Sequence, residues 1–428
     1  MKQEQAFRSQ DARDGHDEQM RVAFVSTYPP KSEKHVRTGG VASYSRNLVC
    51  ALSESGTKTT VFADKMKTVP MAAYEEEDVR VIRCWSKGWR YPFQLSRILS
   101  SQRDSFEVLH IQHEYFLFGG LIGAAMFPLL LFLLRVFVRK PAIVTLHGVM
   151  SLSEIDASFV RRNGLTGHPM ILRTGIRAIT WLSAMPATKI VVHERCFADA
   201  LHVEYGVREE RLSVIPHGVE VKTLSSSAGR EAGPLETKAE RTILFFGYLA
   251  GYKGLEVLVE AFRHLAAQGS YRLIIAGGLH PRLKDDPKYR RDLAMLKRRA
   301  REVSNRIRFT GFVEEAEIPE LFRSVDVAVF PYTQVVSSSG PFSLAIAYRT
   351  PALLSASLAR SLSATETVFA FENTSPALAK CIEGFFEEDG VRDRTLAFMD
   401  RLRSEREWPT VARRTLALYR NVDEKRRR

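Results

Sequence analysis

The sequence contains few cysteines, and none of them has a spacing that would bind zinc or build a disulfide framework. Its 428 residues include only Cys50, Cys84, Cys196 and Cys381, and no two of these form a C-x-x-C pair. This scarcity excludes a disulfide-rich secreted domain and favours a reducing, cytoplasmic setting. The polar N-terminus also lacks the apolar core of a secretory signal, and we expect residues 1–20 to form a disordered lead-in.

Several motifs of nucleotide and metal chemistry are absent as well. The chain has neither G-x-G-x-x-G nor G-x-x-x-x-G-K-[ST], which argues against a nicotinamide dehydrogenase and a P-loop NTPase. It also lacks H-E-x-x-H and Asp-x-Asp, so no resident metal and no cofactor are expected.

The charge balance is strongly basic, with a net charge of +13. Such a balance favours anionic partners, namely nucleic acid, acidic lipid headgroups or phosphorylated small molecules. Residues 281–308 hold eleven Lys or Arg against four Asp or Glu, but a single aromatic residue, Tyr289, lies among them, which is little for base stacking. A solvated helix face explains this segment better than a binding surface, and we expect no nucleic-acid partner.

Short β-branched runs alternate with longer segments of helical period, which predicts an α/β fold with parallel sheets. The first series of predicted strands covers residues 21–27, 58–63, 79–84, 106–111, 142–147 and 189–193. The second covers residues 241–247, 271–277, 306–311, 325–331 and 351–355. Between them, the small and polar residues 221–240 are typical of a linker. We therefore expect two Rossmann-like domains, at 21–220 and 241–402, and a closing helix with a basic tail at 403–428.

One segment, residues 115–134, is apolar enough for a membrane span and has no charged side chain. It lies between two strands that the pattern assigns to one sheet, and a true span would separate those strands. The segment also contains glycines, includes Pro128 and is followed by basic residues. We expect a crossover helix at about 117–138 whose outer side contacts one leaflet of an anionic membrane, although a helix that is merely well buried would give the same pattern.

Three loops after predicted strands could hold an anion. Gly39 and Gly40 precede a helix, Lys253 stands before another between two glycines, and Ser337, Ser338, Ser339 and Gly340 precede a third. Free backbone amides at a helix N-terminus, a lysine and hydroxyl groups all suit a phosphate or diphosphate. Each feature alone also fits an ordinary surface loop.

Five histidines lie at or just past the strand ends of the first half: His110, His113, His147, His193 and His217. Their shared position at the ligand-binding edge of a sheet indicates a polar cleft. Because they come from separate strands, metal binding is not expected.

Eight motifs follow one another along the chain. In order, they are "GGVASYSRNL", "TLHGV", "KIVVHE", "VIPHGVE", "ILFFGYLAGYKGLEVLVEAF", "LIIAGG", "IRFTGFVEEAEIPELFRSVDVAVFPY" and "AIAYRTPALLS". Together they resemble glycosyltransferase family 4, which has the GT-B fold, over roughly residues 21–419. The resemblance implies two Rossmann-like domains facing a cleft. It also implies a retaining transfer from a UDP- or GDP-sugar bound mainly by the C-terminal domain.

Residue by residue, the resemblance assigns catalytic roles to Lys253, which would neutralise the diphosphate, and to His147, beside the transferred sugar. It implies donor binding by Gly39, Gly40, Gly247, Gly311, Phe312, Val313, Ser337, Ser338, Ser339 and Gly340. His113 and Glu114 would face the acceptor side of the cleft.

The sequence departs from the family pattern at three positions. Tyr248 stands where an arginine is usual, and Val336 and Leu344 occupy the places of a glutamate pair. The serine loop, residues 337–340, would then hold the sugar hydroxyls in place of a carboxylate.

The sequence thus predicts a peripheral enzyme on the cytoplasmic face of the membrane, which passes a sugar to a lipid-linked or glycan acceptor of the cell envelope. Two alternatives stay open at this point: a soluble glycosyltransferase with a small acceptor, and a non-catalytic GT-B protein that only binds nucleotide sugars.

Overall fold

Two parallel β-sheets, one in each half of the chain, form the framework of the protein. The computed structural model describes residues 19–31, 40–66, 72–157, 160, 167–221, 240–268, 271–280, 283–335, 337–364 and 369–427. Most of the predicted lead-in, Gly39, nearly all of the predicted linker and Val336 lie outside the described residues.

The described strands of the first half form one sheet in the order β3-β4-β2-β1-β5-β6-β7-β8. Their ranges are β1 Arg21–Ser26, β2 Lys58–Asp64, β3 Ala73–Glu76, β4 Val79–Trp85, β5 Val108–His113, β6 Ala142–Leu146, β7 Lys189–Val192 and β8 Leu212–Val214. All neighbours pair in parallel except β3, which is antiparallel to β4 at the edge. Strands β5 and β6 are buried along their whole length, because helices cover both faces of the sheet.

The helices described in this half are α1 Gly40–Glu54, α2 Tyr91–Ser101, α3 Gly120–Ala125, α4 Phe127–Leu133, α5 Pro169–Ala184 and α6 Arg195–Val203. Buried residues of α1 recur at helical spacing, at Val41, Tyr44, Leu48 and Leu52. Helices α2 and α5 both pack against α4.

The apolar segment is helical from Gly120 to Val138, close to the predicted 117–138, with one irregular residue at Met126. It consists of α3, α4 and a π-helical turn at Leu134–Val138, with Met126 between the two helices. Pro128 explains where α4 begins, because proline fits the first turn of a helix and not its interior. The stretch Gly120–Phe137 is long and apolar enough to cross a bilayer, and a third of it is buried. It connects β5 to β6, which are hydrogen-bonded neighbours, so the expected crossover is present.

The described strands of the second half form a parallel sheet in the order β11-β10-β9-β12-β13-β14. Their ranges are β9 Arg241–Phe246, β10 Tyr271–Ala276, β11 Ile307–Gly311, β12 Val327–Phe330, β13 Ala352–Ser355 and β14 Ala370–Phe371. The described helices are α7 Leu255–Ala266, α8 Pro287–Val303, α9 Ile318–Ser324, α10 Gly340–Ala347, α11 Ala356–Ser361, α12 Ser375–Glu387, α13 Val391–Arg406 and α14 Trp408–Arg427.

The last helix, α14, returns to the first half of the chain. It packs beside α1, and Val411, Leu416 and Tyr419 belong to the core on that side of the first sheet. The chain therefore passes between the halves twice, once after Val219 and once between α13 and α14.

The two segments that connect the halves contact each other. The backbone N–H of Val219 donates to the carbonyl oxygen of Arg406 at 2.7 Å. The Arg406 guanidinium donates to both carboxylate oxygens of Glu194, each at 2.8 Å, and both side chains are buried. Because Glu194 follows β7 and Arg406 ends α13, this ion pair joins the two halves.

In each sheet the strand order reverses once, between β1 and β5 and between β9 and β12. Ligands of open α/β sheets bind beyond the carboxyl ends of the strands at such reversal points. The start of α1, which follows β1, and the loops after β9 and β12 border one shared cleft, which is described next.

Candidate functional site

A cleft of about 540 Å³ lies between the two sheets. The first half contributes the start of α1, and residues 217–220 border it at the passage between the halves. The second half contributes the loops after β9, β10, β11 and β12. Among the predicted donor residues, those on this cleft are Gly40, Gly247, Lys253, Phe312, Val313, Ser337, Ser338, Ser339 and Gly340.

Lys253 is a buried cation at the centre of this cleft. It ends a 3₁₀ turn at Gly251–Lys253, and Gly254 follows with φ of 68°, so that α7 starts directly behind it. The side chain is only 6% exposed, and its Nζ donates to the Tyr332 hydroxyl at 3.0 Å. Burial lowers the pKa of Lys253. Among the described residues, none forms an ion pair with this lysine, so its charge is available to an anionic ligand.

The serine loop continues the hydrogen bonds that begin at Lys253. The Tyr332 hydroxyl lies 2.9 Å from Ser339 Oγ, and Ser339 caps α10 by accepting from the Phe342 N–H. Ser337 forms a β-bridge with Gly148 of the first half. Ser338 Oγ donates to Glu194 at 3.4 Å. The loop is therefore held from both halves while its hydroxyl groups border the cleft.

The opposite end of the cleft is apolar and is bordered by Phe312, Val313 and Gly278. Phe312 is about half exposed, and it packs closely on Gly278, where a Cβ would lie 3.3 Å from the Phe312 side chain. Gly311 does not border the cleft, and its carbonyl oxygen accepts from the Gly277 N–H instead. Tyr248 and Leu344, which replace expected charged residues, both line the cleft.

Tyr44 of α1 forms the wall on the side of the first half. Its ring packs against the rings of His147, His193, His217 and Trp408, with centroids 4.7 to 5.2 Å apart. Burial of its hydroxyl raises the pKa of Tyr44. Ser43 and Asn47, on the same helix, add polar groups to this wall.

The histidines form a buried chain of hydrogen bonds behind Tyr44. His147 Nδ1 lies 3.3 Å from His193 Nε2, and His147 Nε2 lies 2.8 Å from the Gln112 side chain. Gln112 in turn contacts His110, which bonds Tyr419 and Thr145. Burial lowers the pKa of His110 and of His193 to about 3 and that of His217 to about 4, so all three are neutral near pH 7.

Because a neutral imidazole carries a single N–H, the hydrogen-bond partners of these histidines determine which ring nitrogen carries it. His193 Nδ1 donates to the Ile215 carbonyl, so its Nε2 accepts from His147 Nδ1–H. His147 Nε2 is then an acceptor, so the Gln112 amide, whose Oε1 faces it at 2.8 Å in the structure, has to be turned over to donate from its nitrogen. Both ring nitrogens of His147 are thus used within the protein.

The structure does not bring His147, His113 or Glu114 to the cleft surface. His147 is retained behind Tyr44 by the contacts above. His113 packs on Phe127, with ring centroids 4.0 Å apart, because its strand ends beneath α4. Their assigned roles stay predictions. No group of three or more His, Cys, Asp or Glu in the described part of the chain is arranged to hold a metal ion.

Several cleft residues were not predicted from the sequence. Tyr332, Gln334, Tyr44 and Trp408 all line the cleft. Tyr332 and Gln334 come shortly before the serine loop, and this position in the sequence could have predicted that they line the cleft. Trp408 begins α14 and reaches the cleft only because the chain returns to the first half.

Two family models match this chain, one for each half. The model described as Glycosyltransferase Family 4 matches residues 38–223, and the model described as Glycosyl transferases group 1 matches residues 240–388. An uncharacterized glycosyltransferase of Methanocaldococcus jannaschii is 22% identical over 73% of this chain and 74% of its own length.

Two solved structures share the fold. Sucrose-phosphate synthase from Thermosynechococcus elongatus has a TM-score of 0.66 at 18% identity, over 94% of this chain and 99% of that chain. HepE of Anabaena, solved with UDP-glucose, has a TM-score of 0.63 at 16% identity, over 94% of this chain and 100% of that chain. These likenesses confirm the predicted architecture of two Rossmann-like domains.

Proposed function

Since the chain belongs to the group 1 glycosyltransferases of family 4, with a GT-B fold, we propose that it takes a sugar from a nucleotide-sugar donor, a UDP- or GDP-sugar. The second half would bind the donor, and the first half would bind the acceptor. The transfer would retain the configuration of the sugar, as is usual for this family, and would need no metal ion.

Lys253 is the observation that carries this proposal. An ammonium group buried in a cleft, with a tyrosine hydroxyl as its hydrogen-bond partner, lacks the negative charge that normally offsets burial. A diphosphate would supply that charge, and Gly340 at the start of α10 lines the same cleft. HepE, which shares the fold, was solved with UDP-glucose.

The same groups fit the chemistry of transfer. As the bond between sugar and diphosphate breaks, negative charge grows on the diphosphate, and a cation already in place stabilises it. In a retaining reaction of this kind the acceptor hydroxyl attacks from the side of the leaving group. A diphosphate oxygen can then accept its proton, so the cleft needs no carboxylate base.

The donor assignment is tested by measuring binding and hydrolysis across UDP-, GDP- and other nucleotide sugars. We expect one nucleotide class to bind, with the nucleoside diphosphate alone as a competitive inhibitor. Failure of every nucleotide sugar to bind would contradict the proposal.

We further propose a lipid-linked acceptor of the cell envelope and attachment to the cytoplasmic side of the membrane. The support is an apolar face on the outer side of α3, α4 and α5. Its exposed residues are Leu121, Ile122, Phe132, Val136, Phe137, Met170, Ile171, Trp181, Leu182 and Met185. Exposed Arg135, Arg139 and Arg177 are interspersed, which suits anionic headgroups.

The direction of the helices relates this apolar face to the cleft. In parallel sheets, the helix after a strand starts at the carboxyl edge, where the cleft lies, and runs back. Leu121, Met170 and Ile171 therefore lie near the cleft end, and Phe137 and Trp181 lie near the far end. A membrane along this face would bring a lipid-linked acceptor to the cleft.

Substitution of exposed members of this face tests the attachment. Phe132 and Phe137 are suitable, whereas Leu130 and Leu131 of the same helix are buried and would disturb the core. The double variant Phe132→Glu, Phe137→Glu should lose sedimentation with vesicles containing anionic lipid. Met295→Glu, at an exposed apolar residue of α8, is the matched control. Equal recovery of parent and double variant in the soluble fraction would favour a soluble enzyme with a small acceptor.

A further inference from the structure

Gln334 is a buried amide in the cleft whose oxygen has no hydrogen-bond partner. Its side chain is 9% exposed and lines the cleft between Tyr332 and the serine loop. Its Oε1 atom is buried, and no described residue donates to it. The adjacent Val335 packs against the hydrophobic cores of both halves. Gln334 therefore lies where donor and acceptor would meet.

A donor group of a bound ligand would satisfy this oxygen. The large majority of buried side-chain polar atoms in proteins are hydrogen-bonded, and an unpaired one lowers stability. A diphosphate offers only acceptor oxygens near neutral pH and cannot satisfy an amide carbonyl. A hydroxyl group can donate or accept, so it fits the amide in either of its two orientations.

The position of Gln334 indicates which part of the donor it would contact. The apolar end of the cleft is bordered by Phe312 and Gly278. These residues follow β11 and β10, which lie on one side of β9. Gln334 follows β12 on the other side of β9, beyond the Lys253–Tyr332 hydrogen bond. With a nucleobase at the apolar end and the diphosphate at Lys253, the hydroxyl groups nearest to Gln334 are those of the transferred sugar.

We propose that Gln334 binds the transferred sugar of the donor by accepting a hydrogen bond from one of its hydroxyl groups, and so takes part in selecting the sugar. The inference rests on the proposed function. It also explains how the cleft works without a glutamate at position 336, because the neutral amide two residues earlier supplies a contact of the same kind.

The test compares Gln334→Leu with the parent, using whichever UDP- or GDP-hexose binds most tightly and its nucleoside diphosphate as paired probes. We expect the affinity for the nucleotide sugar, and kcat/KM where turnover is measured, to fall about tenfold. The affinity for the nucleoside diphosphate should change less than twofold. Thermal stability without ligand should be unchanged or higher, because the substitution removes an unpaired buried oxygen.

Thr333→Val is the matched control. Thr333 is the neighbouring residue, it does not line the cleft, and its hydroxyl donates to the Tyr252 carbonyl at 3.0 Å. Loss of this bond should lower stability and leave the ratio of the two affinities unchanged. Donor analogues that each lack one sugar hydroxyl identify the contact, because one of them should bind parent and Gln334→Leu equally.

Two results would overturn the inference while the proposed function stands. One is parental affinity for the nucleotide sugar in Gln334→Leu, and the other is an equal loss for the sugar and for the nucleoside diphosphate. Failure of the parent to bind any nucleotide sugar would instead overturn the proposed function, and the assignment of Gln334 with it.

Discussion

Lys253 supplies the positive charge of the cleft, and its removal gives the most direct prediction at the scale of single residues. If the proposed function holds, Lys253→Ala would leave the departing diphosphate without a cation, and loss of one preorganised group of this kind commonly costs about a hundredfold or more in rate. Steady-state transfer assays with the donor found by screening measure the effect. Turnover like that of the parent would contradict the assignment of Lys253.

The sequence predicts that the glycine-flanked residues after the strands lie on the cleft, but it does not predict the directions of the side chains. Lys253, the serine loop and Gly40 follow strands of parallel sheets, so their place on the cleft could be expected from sequence. His147 also follows such a strand, yet its ring faces His193 and Gln112. Gln334 has no distinctive pattern around it, and only the structure shows that it lines the cleft with a buried oxygen that lacks a partner.

At the scale of elements, the turn between β9 and α7 depends on close approaches of the backbone. A Cβ at Gly254 would lie 1.9 Å from the Pro331 carbonyl oxygen, and Gly254 also has positive φ. Gly254→Ala should therefore displace the start of α7 together with Lys253, and should lower both the unfolding temperature and donor binding.

Gly251 provides the matched control in the same turn. A Cβ there would meet nothing within 4 Å. Gly251→Ala should keep the parental unfolding temperature, as measured by calorimetry. Equal effects of the two substitutions would contradict this account of the turn.

Long apolar strands and periodic helices were predictable, and short or interrupted elements were not. Strands β1, β2, β4, β9 and β10 match the predicted runs within a residue or two, because each has six or seven residues rich in apolar and β-branched side chains. Strands β3, β8 and β14 were missed, since two to four residues carry little pattern. The apolar segment was predicted as one helix and is helical from Gly120 to Val138, but its hydropathy does not change at Met126 and so does not reveal the irregularity there.

At the scale of the whole molecule, the buried histidines make stability depend on pH. Burial lowers the pKa of His110, His113 and His193 to about 3, whereas the unfolded value is about 6.5. The unfolded chain therefore binds more protons as the pH falls below about 6.5, and folding loses free energy until the pH nears about 3. The unfolding temperature should drop steeply between pH 6.5 and about 5. A constant value across that interval would show that these rings are not buried as neutral groups.

The ion pair between Glu194 and Arg406 should hold the two halves together. Glu194→Gln leaves the Arg406 charge buried and unbalanced, and breaking a buried pair in this way costs about 3–5 kcal/mol. The Arg349–Asp400 pair, also bidentate and also involving α13, is about half exposed. Asp400→Asn should cost about 1 kcal/mol or less. Thermal unfolding of both variants measures the contrast, and similar shifts would contradict an interdomain role for Glu194.

The existence of two sheets could be predicted from two series of strands, and their mutual arrangement could not. Residues 194 and 406 are separated by 212 positions, and no local pattern links them. The return of α14 to the first half likewise depends on Val411 and Tyr419 filling a gap beside α1, which sequence periodicity alone does not reveal.

Because Val219 and Arg406 touch, the two covalent connections act as one pivot. Rotation about a single pivot changes the width of the opening most at the rim furthest from it and least beside it. The serine loop contacts Glu194 next to this pivot, so this contact would persist while the outer rim of the cleft widens or narrows.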